Sequence, residues 1–108
     1  MSESQLREGA NPVAGLVDYQ DGAVVSRTLV KKDKGTVTVF AFDRDQALSE
    51  HTVPHDALVQ VVDGQAEITV GGAPHVVSAG EMIMMPGNIP HAVKATARFK
   101  MILTMLRE

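Results

Sequence analysis

The alternation of apolar and polar residues constrains the fold of this chain more than any other feature of its sequence. Segments 36–41, 65–70 and 99–105 place apolar residues at every second position. A period of two is that of a β-strand with one face in a core. Turn signals such as Lys31–Gly35 and Gly71-Gly72 recur about every 8 to 12 residues, and no segment carries a helical apolar stripe. The sequence therefore predicts an all-β domain of about nine or ten short strands, a sandwich or a barrel.

One turn signal predicts a tight hairpin. Asp63-Gly64 lies between the apolar runs Leu58–Val62 and Gln65–Val70. A type I′ turn needs positive φ at both central residues, and an Asp-Gly pair adopts it readily. We therefore expect the chain to reverse direction at Asp63-Gly64.

Three runs are apolar on both faces: Leu58–Val62, Met82–Met85 and Lys100–Leu106. A strand of this kind is covered on both sides, by a core and by another sheet or subunit. We therefore expect the protein to form a homodimer.

The size and charge of the chain limit what it can do. Its 108 residues suffice for one domain, which we assign to residues 13–108, with residues 1–12 as a polar N-terminal tail or arm. The formal net charge of −3 argues against nucleic-acid or anionic-membrane partners, which require a basic surface. No apolar run approaches the ~20 residues of a membrane span. The polar N-terminus lacks a signal-peptide pattern, so the expected location is cytoplasmic.

Metal and acid–base chemistry must come from the histidines and acidic residues, because the chain has no cysteine. The four histidines are His51, His55, His75 and His91. His51 and His55 share a strand face but would lie ~13 Å apart on an extended strand. A bend at Pro54 could bring them together. We expect His75 to be a surface residue.

Two segments resemble the conserved motifs of the cupins. Gly80, followed after five residues by Pro86–His91, is similar to the second cupin motif, which ends in a histidine. Leu48–Pro54, followed by Ala57–Gly64, resembles the first. The resemblance implies a double-stranded β-helix (jelly-roll-like) barrel over almost the whole chain, commonly dimeric. Many cupins hold one divalent metal inside the barrel through three histidines and a glutamate.

This sequence has only two of the four residues that bind the metal in those cupins. His51 falls on the first histidine and His91 on the last, whereas Val53 and Ala57 fall on the second histidine and the glutamate. His55 is the natural substitute donor. Three alternatives stay open: a three-histidine metal site (His51, His55 and His91), a two-histidine site completed by water or ligand, and a metal-free pocket. A metal here would be a divalent ion such as Zn, Fe, Ni or Mn.

The methionines have two possible roles, as ligands of a copper ion or as packing residues of the core. Met82, Met84, Met85, Met101 and Met105 could suggest a thioether copper site. Methionine is also a flexible filler of cores, and this chain has few aromatic residues to fill one. We interpret all five as packing residues.

These observations leave three functional hypotheses. The first is a metal-binding cupin with oxygenase- or isomerase-type chemistry on a small molecule. The second is a metal-free barrel that binds or senses a small molecule, and the third is a structural or regulatory dimer. Loss of two family ligands at Val53 and Ala57 favours the second over the first. The substrate and the reaction are not predicted, and neither is whether the protein is an enzyme.

Overall fold

The alternating segments form antiparallel β-strands in a computed structural model, which describes residues 6–108. Within that range a short 3₁₀ helix (Val13–Gly15) precedes eight strands: β1 (Val24–Lys32), β2 (Gly35–Phe42), β3 (Ala47–His51), β4 (Asp56–Val70), β5 (Ala73–Ser78), β6 (Met82–Met85), β7 (His91–Lys94) and β8 (Phe99–Leu106). The predicted all-β class is confirmed. No helix among the described residues is long and apolar enough to cross a membrane. Residues 1–5 of the predicted N-terminal arm lie outside the described residues.

The predicted hairpin at Asp63-Gly64 is wrong, because β4 runs through it as one strand of 15 residues. The first part of β4 pairs with β6 and β8, and the second part pairs with β5 and β7. Gly64 has a φ of +72°, and a Cβ there would overlap the carbonyl oxygen of Arg98. The glycine therefore lets β4 pass close to the backbone at Arg98, immediately before β8, and it does not reverse the direction of the chain.

The long strand β4 joins two sheets into one curled barrel. The first sheet has the order β1-β2-β8-β4-β6, and the second has the order β3-β7-β4-β5. The core lies between them, and Phe42 and Phe99 stack there with ring centroids 4.5 Å apart. Both rings are fully buried. Burial of one face of every sheet explains the period of two in the sequence.

The segment before β1 packs on the outside of the barrel. Val17 is buried against the first sheet. The Tyr19 hydroxyl donates a hydrogen bond to the Asp63 carboxylate (2.6 Å), and the Lys100 ammonium donates one to the carbonyl of Ala14 (2.6 Å). These contacts attach the residues before β1 to the domain that the sequence assigns to 13–108.

Candidate functional site

Two histidines face each other across neighbouring strands of the second sheet. In the register of β3 and β7, Leu48 pairs with Val93 and His51 pairs with His91. Three steps along β3 therefore match two steps along β7, which is a β-bulge. A bulge re-aims the side chains that follow it. Leu48 and His51 consequently line the same cavity, although a regular strand would place them on opposite faces.

Both imidazole rings contact a backbone carbonyl oxygen through Nδ1. Their centroids are 4.4 Å apart, with 69° between the ring planes. Nδ1 of His51 lies 2.8 Å from the carbonyl oxygen of Ser49, and Nδ1 of His91 lies 3.3 Å from that of Ile89. A carbonyl oxygen can only accept, so both Nδ1 atoms carry the proton. In a neutral imidazole with the proton on Nδ1, the Nε2 lone pair is free to bind a metal or accept a hydrogen bond.

The rings border a small cavity inside the barrel. Its volume is about 50 Å³, and every lining residue other than His51 and His91 is apolar: Leu48, Val53, Ala57, Met85, Val93, Met101, Leu103 and Met105. His91 is only 4% exposed, whereas His51 is exposed. The site therefore opens to solvent on the His51 side. A cavity of this size admits an ion or one to two waters, since one water takes up about 30 Å³ in the liquid.

Burial keeps His91 in its neutral form. Desolvation lowers the pKa of His91 below its ordinary value, the nearby charge of His51 lowers it further, and the hydrogen bond to Ile89 opposes the shift in part. A charged imidazolium loses more solvation than a neutral imidazole when it is buried. At neutral pH His91 therefore offers a lone pair instead of a second proton.

We expect the burial of His91 to destabilise the protein in mild acid. The unfolded chain takes up this proton near pH 6.5, but the folded chain takes it up only at lower pH, because its His91 pKa is lowered. Stability should therefore be full above about pH 6.5 and fall as the pH drops through the folded-state value. Urea unfolding at about pH 7.5 and about pH 5.5 would measure the loss, and His91→Gln should lose less than the wild type. Equal losses would contradict this origin.

The third predicted ligand, His55, lies elsewhere. The chain does bend at Pro54, but His55 lines a separate groove with Pro54, Asp56 and the C-terminal residues Leu106, Arg107 and Glu108. Among residues 6–108, no three histidine, cysteine, aspartate or glutamate side chains lie close enough together to hold a metal ion. The structure thus brings His51 and His91 together without His55, whose role as a ligand stays a prediction.

The turn between β6 and β7 positions His91 against the loop before β4. The Asn88 N–H donates to the carbonyl of Val53 (2.7 Å), and the Gly87 N–H donates to the Asp56 carboxylate (2.8 Å). Asn88 has a φ of +65°, in the left-handed region that asparagine tolerates better than most residues. A Cβ on residue 87 would lie 3.0 Å from the backbone of that loop. These hydrogen bonds therefore hold the turn that precedes His91 against the loop that carries Val53.

The structure divides the methionines into two groups. Met82 and Met84 are exposed, by 58% and 46% of their surface, so they do not pack in a core. Met85 and Met101 are buried in the core, as predicted, and together with Met105 they also line the cavity beside the histidines. The period of two in the sequence of β8 already placed Met101 and Met105 on one face. The sequence contains no sign of how β6 pairs with β4, and that pairing places Met85 beside Ala57. His75 is exposed, as predicted.

Comparisons with known proteins agree with the motifs. A family model described as a cupin domain matches residues 38–106. A conserved protein of unknown function from Streptococcus pyogenes is 33% identical, with a TM-score of 0.90, over 95% of this chain and 90% of that one. A cupin superfamily protein from Desulfitobacterium hafniense is 26% identical, with a TM-score of 0.90, over 96% of this chain and 95% of that one.

A larger protein contains a similar unit. A Cupin 2 conserved barrel domain protein from Leptotrichia buccalis is 42% identical over 87% of this chain, with a TM-score of 0.84. This chain spans only 46% of that protein's length. No curated protein matches the chain.

Proposed function

The chain belongs to the cupin family, and from that premise we propose that its barrel binds one metal ion between His51 and His91. The observation that carries the proposal is the contact that each ring makes through Nδ1 with a backbone carbonyl oxygen. Each Nδ1–H is directed to a backbone carbonyl, and a hydrogen bond of this kind orients a histidine that ligates metal through Nε2. The rings, with centroids 4.4 Å apart, are close enough to share one ion.

The protonation of the site supports the same function. Only a neutral imidazole can bind a metal, so a proton competes with the ion for each ring. Burial lowers the pKa of His91 and thus removes that competitor at neutral pH.

The family's ligand set fits this cavity only in part. His51 and His91 supply two donors, but Val53 and Ala57 stand where the resemblance places a histidine and a glutamate, and both line the cavity wall. The two histidines alone would leave further coordination positions of a bound ion open, and the exposed His51 side admits solvent. When bound, the ion supplies Lewis-acid chemistry to a small molecule at an open position. The predicted oxygenase- or isomerase-type reactions require such a position.

Metal analysis of tag-free protein tests this function. Inductively coupled plasma mass spectrometry, before and after incubation with Zn, Fe, Ni, Mn and Cu and removal of excess, should find close to one ion per chain. His91→Ala should lose at least about 90% of it, because the variant lacks one of the two imidazole donors that line the cavity. His55→Ala tests the predicted third ligand: retention of the ion would leave His55 outside the site.

His75→Ala is the matched control, since His75 is an exposed histidine of β5 outside the cavity. It should retain the ion. Metal that survives His91→Ala, or wild-type protein that takes up none of the five ions, would overturn the proposal.

The apolar wall favours a second candidate, a metal-free barrel that binds a small molecule. Eight of the ten lining residues are apolar, and the two histidines would then accept hydrogen bonds from the polar end of the ligand. The ligand must be small or must displace side chains, because the cavity measures about 50 Å³. Native mass spectrometry that found an organic adduct and no metal would favour this candidate.

The homodimer and the cytoplasmic location stay predictions. Strands β5 and β6 expose apolar side chains, among them Val76 and Met82. That is consistent with the apolar outer face from which the sequence predicts a dimer.

A further inference from the structure

Three methionines line the same cavity as the two histidines. In the register of the first sheet, Ala57 pairs with Met85 of β6 on one side and with Met105 of β8 on the other. Met101 lies four residues before Met105 on the same face of β8 and lines the same cavity. Directly paired residues have Cβ atoms about 4.5–5.5 Å apart. The small Ala57 therefore lies between two methionines that line the cavity on either side of it.

Sulfur is the one further kind of side-chain donor in this cavity. Apart from His51, His91 and the three methionines, the lining side chains are hydrocarbons: Leu48, Val53, Ala57, Val93 and Leu103. No lining side chain carries an oxygen. A third side-chain ligand for an ion held by the two histidines must therefore be a thioether. Thioethers are soft donors that select Cu(I), whereas Mn and Mg prefer oxygen ligands.

The lack of charged side chains in the cavity wall also favours Cu(I). Every lining side chain is neutral when the histidines are unprotonated, so nothing in the wall offsets the charge of a bound cation. The cost of moving an ion from water into an apolar medium grows with the square of its charge, so a divalent ion costs about four times as much as a monovalent one. A neutral set of nitrogen and sulfur donors thus favours a soft monovalent ion.

We propose that this cavity binds cuprous copper, with His51, His91 and the thioether sulfurs of Met85 and Met105 as ligands. The inference rests on the metal binding proposed above and names the metal. It replaces the divalent ion that the family resemblance implies. It also gives the cavity methionines a role beyond the packing that the sequence suggested.

A competition for Cu(I) tests the ligands directly. Wild-type protein, titrated without oxygen into the coloured cuprous complex of bicinchoninate, should withdraw one Cu(I) per chain. Met85→Leu and Met105→Leu should each weaken the affinity at least about tenfold, since even indirect partners of a metal site are worth 10–100-fold. Leucine has a similar volume to methionine, so these variants should fold. X-ray absorption should detect sulfur bound to copper in the wild type and lose it in the double variant.

Met84→Leu is the control, because Met84 is a neighbour of Met85 on β6 but is exposed and outside the cavity lining. It should bind Cu(I) as the wild type does. If the double variant bound Cu(I) unchanged, or if Met84→Leu weakened binding as much as Met85→Leu, the thioether ligands would be refuted.

The outcomes separate this inference from the function it rests on. Wild-type protein that binds Zn or another divalent ion through His91 but takes no Cu(I) from bicinchoninate would refute copper and keep the metal site. Protein that binds neither Cu(I) nor any of the divalent ions would refute both.

Discussion

Replacing Gly64 with alanine should destabilise the protein by about 2–5 kcal/mol. Positive φ costs a residue with a Cβ about 1–2 kcal/mol, and Gly64 has a φ of +72°. The new Cβ would also overlap the Arg98 carbonyl and crowd Phe99 in β8. Crowding of a packed site adds about 1–3 kcal/mol, and here the obstacle is backbone that can move only with the strand. The free energy of unfolding in urea measures the sum.

Gly72→Ala separates the two contributions. Gly72 also has a positive φ, of +82°, but a Cβ there would meet nothing within 4 Å. This variant should lose only the conformational part, about 1–2 kcal/mol. If both variants lost the same stability, the close approach of β8 to Gly64 would have no energetic weight, and our explanation for the uninterrupted β4 would fail.

Phe99→Ala should be the most damaging core substitution, with a loss of about 3–5 kcal/mol. The Phe99 ring is fully buried and stacks on Phe42 with a centroid distance of 4.5 Å. Its removal costs the transfer free energy of the ring and leaves a cavity that two sheets and a long shared strand cannot collapse to fill. Thermal and urea unfolding would both report the loss.

Phe40→Ala provides the comparison within the same sheet. Phe40 is partly buried, and its ring is 6.0 Å from that of Phe42 in a tilted contact. It buries less surface, so the loss should be clearly smaller, about 1–3 kcal/mol. A loss at Phe40 equal to that at Phe99 would mean that the core is not centred on the Phe42–Phe99 stack.

Much of the fold could be predicted because it depends on local pattern. The period of two in 36–41 and 99–105 follows from one buried face, and it correctly identified β2 and β8. The turns at Lys31–Gly35 and Gly71-Gly72 were also predicted correctly, because their residue types suit the backbone of a turn. The family, and with it the barrel, followed from the two motifs.

The hairpin at Asp63-Gly64 shows where local pattern fails. A glycine preceded by aspartate suits a type I′ turn, but it equally suits a strand that must let a neighbour approach closely. Only the packing of β8 against Gly64 decides between them. The sequence contains no sign of that contact, because its partner lies more than thirty residues away.

The amino-acid sequence by itself determined the all-β class, the absence of thiolate chemistry and the choice of His51 and His91 as candidate site residues, because each follows from residue type or from a short motif. Only the tertiary structure decided that these two rings meet, that His55 lies apart and that Met85 and Met105 flank Ala57. The physical reason is register. One extra residue in β3 changes the face on which every later side chain lies, and the strands that pair around β4 come from distant parts of the chain.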